Sequence, residues 1–354
     1  MGIVLTNLVA LALPLISGAT FHSLNDHVLP ADKSDFSFVV IGDNRPAGAG
    51  LPPTATYRRL MGDIAMIGPD FVISSGDLIY GNEESLDRYK EECREIKPII
   101  DSLPCPFFNA PGNHELAERQ EFQDTYENIF GALRGAFTFG GCRFIAVCSD
   151  YVGHPNSIPA EEGTWLDKEL EAPGPKVVYF HHPIYGRKSN AEGAHVLADG
   201  AAWHQKFVAN HVSEVFEGHD HVLNHQTHDG VEYWISGGGG APLDTTPDDG
   251  GYHHFLVVNV KNGKFSVAII PEGALEIDRS NPVSVKVANY SDEDLPLTNL
   301  KMKLDSANVK LKAFSDSKGK HTPVEAVVKS YDPVTKMATV SVTAGKHHLT
   351  VIER

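Results

Sequence analysis

The chain has 354 residues, 42% hydrophobic and 21% charged: enough apolar matter for one large core and a smaller one, and too little charge for long disorder. Its formal net charge of −16 repels polyanions at long range and excludes a general nucleic-acid binder. Four cysteines (Cys93, Cys105, Cys142 and Cys148) with no Cys-x-x-Cys exclude a zinc-ribbon or thioredoxin-like site and read as buried free thiols.

Residues 3–16 (IVLTNLVALALPLI) are mostly apolar and lead into Ser17-Gly18-Ala19. That is the pattern of a signal peptide cleaved after Ala19, although no Lys or Arg precedes the run. The expectation is a secreted or exported (periplasmic or extracellular) protein, with residues 1–19 as signal, 20–35 as linker and no transmembrane span, the run being short for one.

From Phe36 the chain alternates strand-like and helix-like segments. FSFVVIGD (36–43) is an apolar run ending in Gly-Asp, and Tyr57, Leu60, Met61, Ile64 and Ile67 follow at helical spacing. DFVISSGD (70–77) is a second buried strand ending in Gly-Asp. Leu86, Tyr89, Cys93, Ile96 and Ile100 then form a second helical face. CPFFNAPGNHE (105–115), KVVYFHHP (176–183) and VSEVFEGHDH (212–221) repeat the strand-to-loop unit. Residues 231–270 hold short strands without an intervening helix and predict a sheet edge with antiparallel neighbours.

Beyond about residue 275 the texture changes. Val283, Val285 and Val287 alternate with polar residues, as do Leu300, Met302 and Leu304, then Val309, Leu311 and Ala313, then Val340 and Val342. Period two with frequent turns predicts a small all-β sandwich over 282–354, following an α/β domain over 36–272. The β-domain carries no evident site; contact with another domain or a surface is a natural use for it.

Each apolar run stops at Asp, Asn or His: Asp43 in GDNR, Asp77 in GDLIY, Asn113 in GNHE, His181 in HHP, and His219 with His221 in GHDH. Singly these are weak signals, since Gly-Asp after a strand is usually a turn and GNHE can start a helix. Five such blocks behind five buried runs imply convergence on one sheet edge, where open α/β sheets place their ligands. Carboxylate, amide oxygen and imidazole together suit Zn, Mn or Fe, and anions packed this closely repel unless cations lie between them.

In these five blocks, in order, the chain resembles the calcineurin-like metallophosphoesterase superfamily over residues 36–270. The resemblance implies a four-layer αββα sandwich of two mixed sheets, with metal-assisted hydrolysis of phosphate esters as its chemistry. By motif, Asp77 bridges two metal ions, one also held by Asp43 and His221, the other by Asn113, His181 and His219. His182 is left to a hydrogen bond behind the ligands. Arg45 stands where many members have a histidine. Tyr80, three residues after Asp77, matches the tyrosinate position of purple acid phosphatases and is a candidate metal ligand, with simple packing as the alternative.

The implied reaction is attack by metal-bound hydroxide on a small phosphate monoester, with two divalent or mixed-valence ions (Fe, Zn or Mn). His114 would stabilise the transition state or protonate the leaving group. Arg45 would clamp phosphate oxygens or, alternatively, pair with Asp43 or Glu115. His195, with Arg187 and Lys188 in the same loop, is a candidate substrate contact. Competing readings are a phosphodiesterase or nucleotide hydrolase on the same metals and, from another class, an envelope-associated binding protein with a vestigial site. The run Gly237–Gly240 reads as a tight turn rather than a phosphate loop.

Overall fold

The computed structural model describes residues 20–82, 85–187 and 195–354, so the expected signal segment and Lys188 lie outside the described residues. The first half alternates as expected: β1 (Phe36–Ile41), α1 (Ala55–Ile67), β2 (Phe71–Ser74), α2 (Leu86–Asp101), β3 (Phe107–Asn109), the single turn α3 (Asn113–Leu116) and α4 (Gln120–Phe130). There follow β4 (Gly135–Phe139), β5 (Cys142–Ala146), α5 (Ala160–Leu170), β6 (Lys176–Tyr179), α6 (Gly200–Ala209), β7 (Val212–Glu217), β8 (Leu223–His228) and β9 (Val231–Ser236). The remainder is β10 (His254–Lys261), β11 (Lys264–Pro271), β12 (Leu275–Asp278), β13 (Ser284–Asn289), β14 (Leu295–Lys303), β15 (Lys312–Ser317), β16 (Lys320–Pro323), β17 (Ala326–Asp332), β18 (Met337–Ala344) and β19 (His348–Glu353).

Periodicity becomes structure directly in α1. Its five apolar positions are buried on one face, Thr54 caps its start by accepting the Tyr57 N–H at 3.1 Å, and Gly68 ends it at φ +63°. In β1 the alternation splits the side chains between layers: Val39 and Ile41 pack toward the helices, while Phe38 and Val40 pack toward the second sheet. One sheet has the order β11-β10-β1-β2-β3 and the other β4-β5-β6-β7-β9-β8. Phe38, Phe71, Phe144 and Phe216 fill the space between them, with Phe38 and Phe71 stacked at 5.3 Å. Helices α1 and α2 cover the outer face of the first sheet, and Leu166, Leu170, Trp203 and Phe207 of α5 and α6 cover the second. The result is the expected pair of mixed sheets between helical layers.

The strands of 231–270 divide between the sheets rather than forming one edge. β10 and β11 extend the first sheet in antiparallel fashion, whereas β9 runs parallel to β7 inside the second. The C-terminal part is all antiparallel, with sheets of order β12-β13-β19-β15-β16 and β14-β18-β17. Its β14 closes over the end of α1: Thr298 Oγ1 donates to the Ile67 carbonyl at 2.9 Å and Asn299 Nδ2 to the Ala65 carbonyl at 2.8 Å. These side chains satisfy carbonyls that the helix end leaves open. All four cysteines are free and buried. Among the described residues no helix is long and apolar enough to cross a membrane.

Glu214 of β7 is an ionisable group inside this frame. It accepts the Trp234 indole N–H at 3.0 Å, and burial pushes its carboxyl up to about 8. The unfolded chain titrates near 4.3, so the native state holds the proton more tightly and stability falls as pH rises from about 4.3 through about 8. Glu214→Gln keeps the acceptor and removes the charge. Its melting temperature should exceed wild type by roughly 2–6 °C at pH 8.5 and match it near pH 4.5; a gain of the same size at both pH values would contradict this origin.

Candidate metal centre

Parallel strands carry their C-terminal ends to one edge, and that is where the blocks meet. Asp43 follows β1, Asp77 follows β2, Asn113 follows β3, His181 follows β6 and His219 follows β7. Asp43, Asp77 and His219 have φ of +57°, +56° and +71°, a left-handed turn right after each strand that swings the side chain over the sheet edge. Gly218 is required for the approach: a Cβ there would lie 2.6 Å from Asp43 Oδ2.

Carboxylate oxygens of Asp43 and Asp77 and a ring nitrogen of His181 lie within 4.8 Å of one another, and all three residues are buried. His181 Nδ1–H donates to the Ser75 carbonyl at 2.8 Å, which leaves the Nε2 lone pair facing inward. That lone pair is 2.9 Å from Asn113 Oδ1 and 3.4 Å from Asp77 Oδ1. His219 Nδ1 completes this half, 3.1 Å from Asn113 Oδ1 and 3.3 Å from His181 Nε2. In the other half, His221 donates Nδ1–H to the Pro242 carbonyl at 2.5 Å and turns Nε2 toward Asp43 Oδ1 at 3.6 Å.

The electrostatics fit cations among these groups. Burial, reinforced by His182, holds His181 and His219 below the ordinary imidazole range; burial and Arg45 do the same to His221. Each therefore gives up its proton readily in favour of a cation and then has a lone pair to offer. Burial, then the Asp77 charge, pushes Asp43 well above the usual carboxylate range. Burial opposes ionisation of Asp77 too, but His181, His114, Arg45 and His219 outweigh it and hold its carboxyl low. Two facing carboxylates thus compete for one charge balance, and a positive ion between them removes the conflict.

The surroundings brace this set. Glu115 accepts the N–H groups of Gly112 at 2.7 Å, Asp77 at 3.0 Å and Leu78 at 2.5 Å, tying the second block to the third. Burial and Asp77 push its carboxyl up to about 8 against those donors. Arg45 pairs with Asp77, Nε to Oδ2 at 3.3 Å, rather than with Asp43 or Glu115. His114 donates its backbone N–H to Asp77 Oδ1 at 3.1 Å and turns its ring Nδ1 to the Tyr80 carbonyl, with Nε2 3.9 Å from Asp77 Oδ2. The Tyr80 ring lies 5.5 Å from that of His114 and 6.0 Å from the Arg45 guanidinium carbon. His195 sits at the rim, its ring 5.9 Å from that of His219, and both His195 and Arg187 face Asp220, at 3.7 and 3.9 Å. The glycine run binds backbone to backbone, Gly239 N–H to Gly42 carbonyl at 2.9 Å and Gly237 N–H to Val222 carbonyl at 3.0 Å.

One partner, Asp150, escaped sequence reasoning. His182 lies behind the cluster as expected: its Nδ1 bonds Asp150 Oδ2 at 2.9 Å and its ring lies 3.9 Å from that of His219. Burial disfavours the Asp150 charge, yet His182 holds its carboxyl below the usual value. The signal was available, since CRFIAVCSD is one more apolar run ending in a polar pair, at the end of β5.

A family model described as calcineurin-like phosphoesterase matches residues 36–223. No curated protein sequence matches the chain. Among solved structures, GAP50, the anchor in the inner membrane complex of Plasmodium, aligns at 13% identity and a TM-score of 0.51, covering 68% of this chain and 86% of that one. A dimetal phosphatase from Danio rerio aligns at 14% identity and a TM-score of 0.50, covering 67% of this chain and 96% of that one. At such identities the likeness is one of fold.

Proposed function

Since the chain belongs to the calcineurin-like phosphoesterase family, we propose that it hydrolyses phosphate monoesters with a pair of metal ions, in the manner of purple acid phosphatases. The observation that carries this reading is the meeting of His181 Nε2, His219 Nδ1 and Asn113 Oδ1, three atoms able to ligate a metal, beside Asp77. Asp43, Asp77 and His221 would hold one ion, and Asp77, Asn113, His181 and His219 the other. Bound there, the ions supply Lewis acidity toward phosphoryl oxygens and acidify water.

The chain's own groups do the rest. His181 and His221 are fixed in one tautomer by the Ser75 and Pro242 carbonyls. His114, anchored through Nδ1, presents Nε2 to the leaving oxygen. Arg45 neutralises Asp77 through Nε and keeps guanidinium N–H groups for phosphate oxygens. The test is metal content of the purified protein together with phosphate release from p-nitrophenyl phosphate, its bis ester and nucleotides. Two ions per chain and preference for the monoester support the proposal; loaded protein that cleaves none of them would leave a binding role instead.

Two substitutions refine it. Arg45→Ala should lower kcat/KM for phosphate esters by roughly tenfold or more, the size of a charge-assisted hydrogen bond; unchanged kinetics would reduce Arg45 to a counter-ion of Asp77. If Tyr80 ligates ferric iron, the loaded protein is coloured and Tyr80→Phe loses the visible band. A colourless iron-loaded protein would assign Tyr80 to packing against His114.

A further inference from the structure

Beside the cluster lies a pocket of about 350 Å³ that Asn113 and His219 border directly. That volume is in the range of small-molecule sites. Its other walls come from three loops distant in sequence, through Asn82, Glu118 and Asn156. Among the described residues no Lys, Arg, Phe, Tyr or Trp lines it; its rings are the imidazoles of His182, His195 and His219, and its apolar walls are Ala117 and Pro155.

The backbone there is strained. Ala117, Glu118 and Asn156 have φ of +46°, +52° and +45°, so three non-glycine residues of these walls occupy the left-handed region. Such conformations are costly and persist where the surroundings impose them, typically around ligands. Here they are imposed by hydrogen bonds: the Gly153 N–H donates to Glu118 Oε2 at 3.2 Å, the Asn156 N–H to Asp150 Oδ1 at 3.4 Å, and Asn156 Nδ2 to the Val196 carbonyl at 3.0 Å. Asn82 reaches the other side, its Nδ2 3.2 Å from His114 Nδ1.

Resting on the phosphoesterase reading, we propose that this pocket receives the alcohol half of the ester, and that this alcohol is an uncharged polyol or sugar. The described walls fit each alternative less well. A nucleobase would find the rim imidazole of His195 to stack on, His182 and His219 facing one another at 3.9 Å; a second phosphate would find no Lys or Arg among the described wall residues, and an acyl chain only Ala117 and Pro155. Asn82 and Asn156 each offer both a donor and an acceptor, and Glu118 offers acceptors. Hydroxyl groups, which donate and accept, satisfy all three, whereas an ammonium only donates. Asp150 is not available as a further anion because His182 pairs with it.

The variants are Glu118→Gly and Asn156→Gly, because glycine accepts the left-handed backbone and only the side chain is lost. With loaded enzyme, each should raise KM for glucose 6-phosphate by roughly tenfold and leave p-nitrophenyl phosphate within about twofold. An equal loss on both substrates, or a higher kcat/KM for AMP or ethanolamine phosphate than for glucose 6-phosphate and glycerol 3-phosphate, overturns the assignment. Saturation-transfer NMR on the metal-free protein gives an independent readout. Transfer to the sugar protons of glucose 6-phosphate should appear in wild type and vanish in Asn156→Gly; transfer that is absent in wild type or persists in the variant overturns the proposal. A wild-type enzyme inactive even on p-nitrophenyl phosphate would count against the phosphoesterase reading, and the NMR arm would still decide the pocket.

Discussion

Asp77→Asn should lower phosphate-ester turnover by roughly 10³-fold or more, about 4 kcal/mol of barrier, and reduce the bound metal. Asp77 is the carboxylate that stays ionised in this buried site, because His181, His114 and Arg45 overcome its burial. One of its oxygens faces His181 and the His114 N–H, the other faces Arg45, and a carboxylate oxygen of Asp43 lies within 4.8 Å, so both halves of the donor set converge on it. Asparagine has the same shape, tolerates the φ of +56° at this position and keeps an acceptor for the His114 N–H. The fold should therefore survive, with a thermal transition of the metal-free protein near that of wild type. Elemental analysis and phosphate release on the same preparation check the prediction; normal metal content with normal turnover would remove Asp77 from the site's function.

His114→Ala should behave differently, with full metal content and a kcat lower by roughly 10²–10⁴-fold on an alkyl phosphate. Its ring contacts the Tyr80 carbonyl and Asn82 and comes no nearer than 3.9 Å to Asp77, while its hydrogen bond to Asp77 is through the backbone N–H, which alanine retains. A poor leaving group needs a proton and p-nitrophenolate does not. The loss should therefore shrink to about tenfold or less on p-nitrophenyl phosphate. An equal loss on both esters would point to transition-state charge stabilisation rather than proton donation. Lost metal would make His114 part of the scaffold that holds it.

Several residues show how far sequence patterns reach. The faces of α1 and α2 were legible because helical spacing is a local property, and all five apolar positions of α1 are buried as expected. The strand-end blocks were legible because a buried parallel strand is a short apolar run whose end stands out. Strand partners were not. Whether Val231–Ser236 pairs with β10 or with β7 depends on hydrogen bonds between segments far apart in the chain, and here it joins β7. Val283 fitted an alternating pattern yet is 47% exposed, just before β13 begins, because a periodic pattern does not state where pairing starts. Arg45 was legible as a charge near the blocks but not as the partner of Asp77.

By itself the amino-acid sequence determined the alternation of elements, the five polar blocks that close them, and so the family and the kinds of donor atoms available. Those are properties of short windows, where spacing and side-chain chemistry act directly. Only the tertiary structure decided the lone-pair directions of His181 and His221, the pairing of His182 with Asp150, and the pocket walled by Asn82, Glu118 and Asn156. The physical reason is that each depends on distances between segments that neither neighbour one another nor repeat, set by how two sheets stack and how their loops are strained into place.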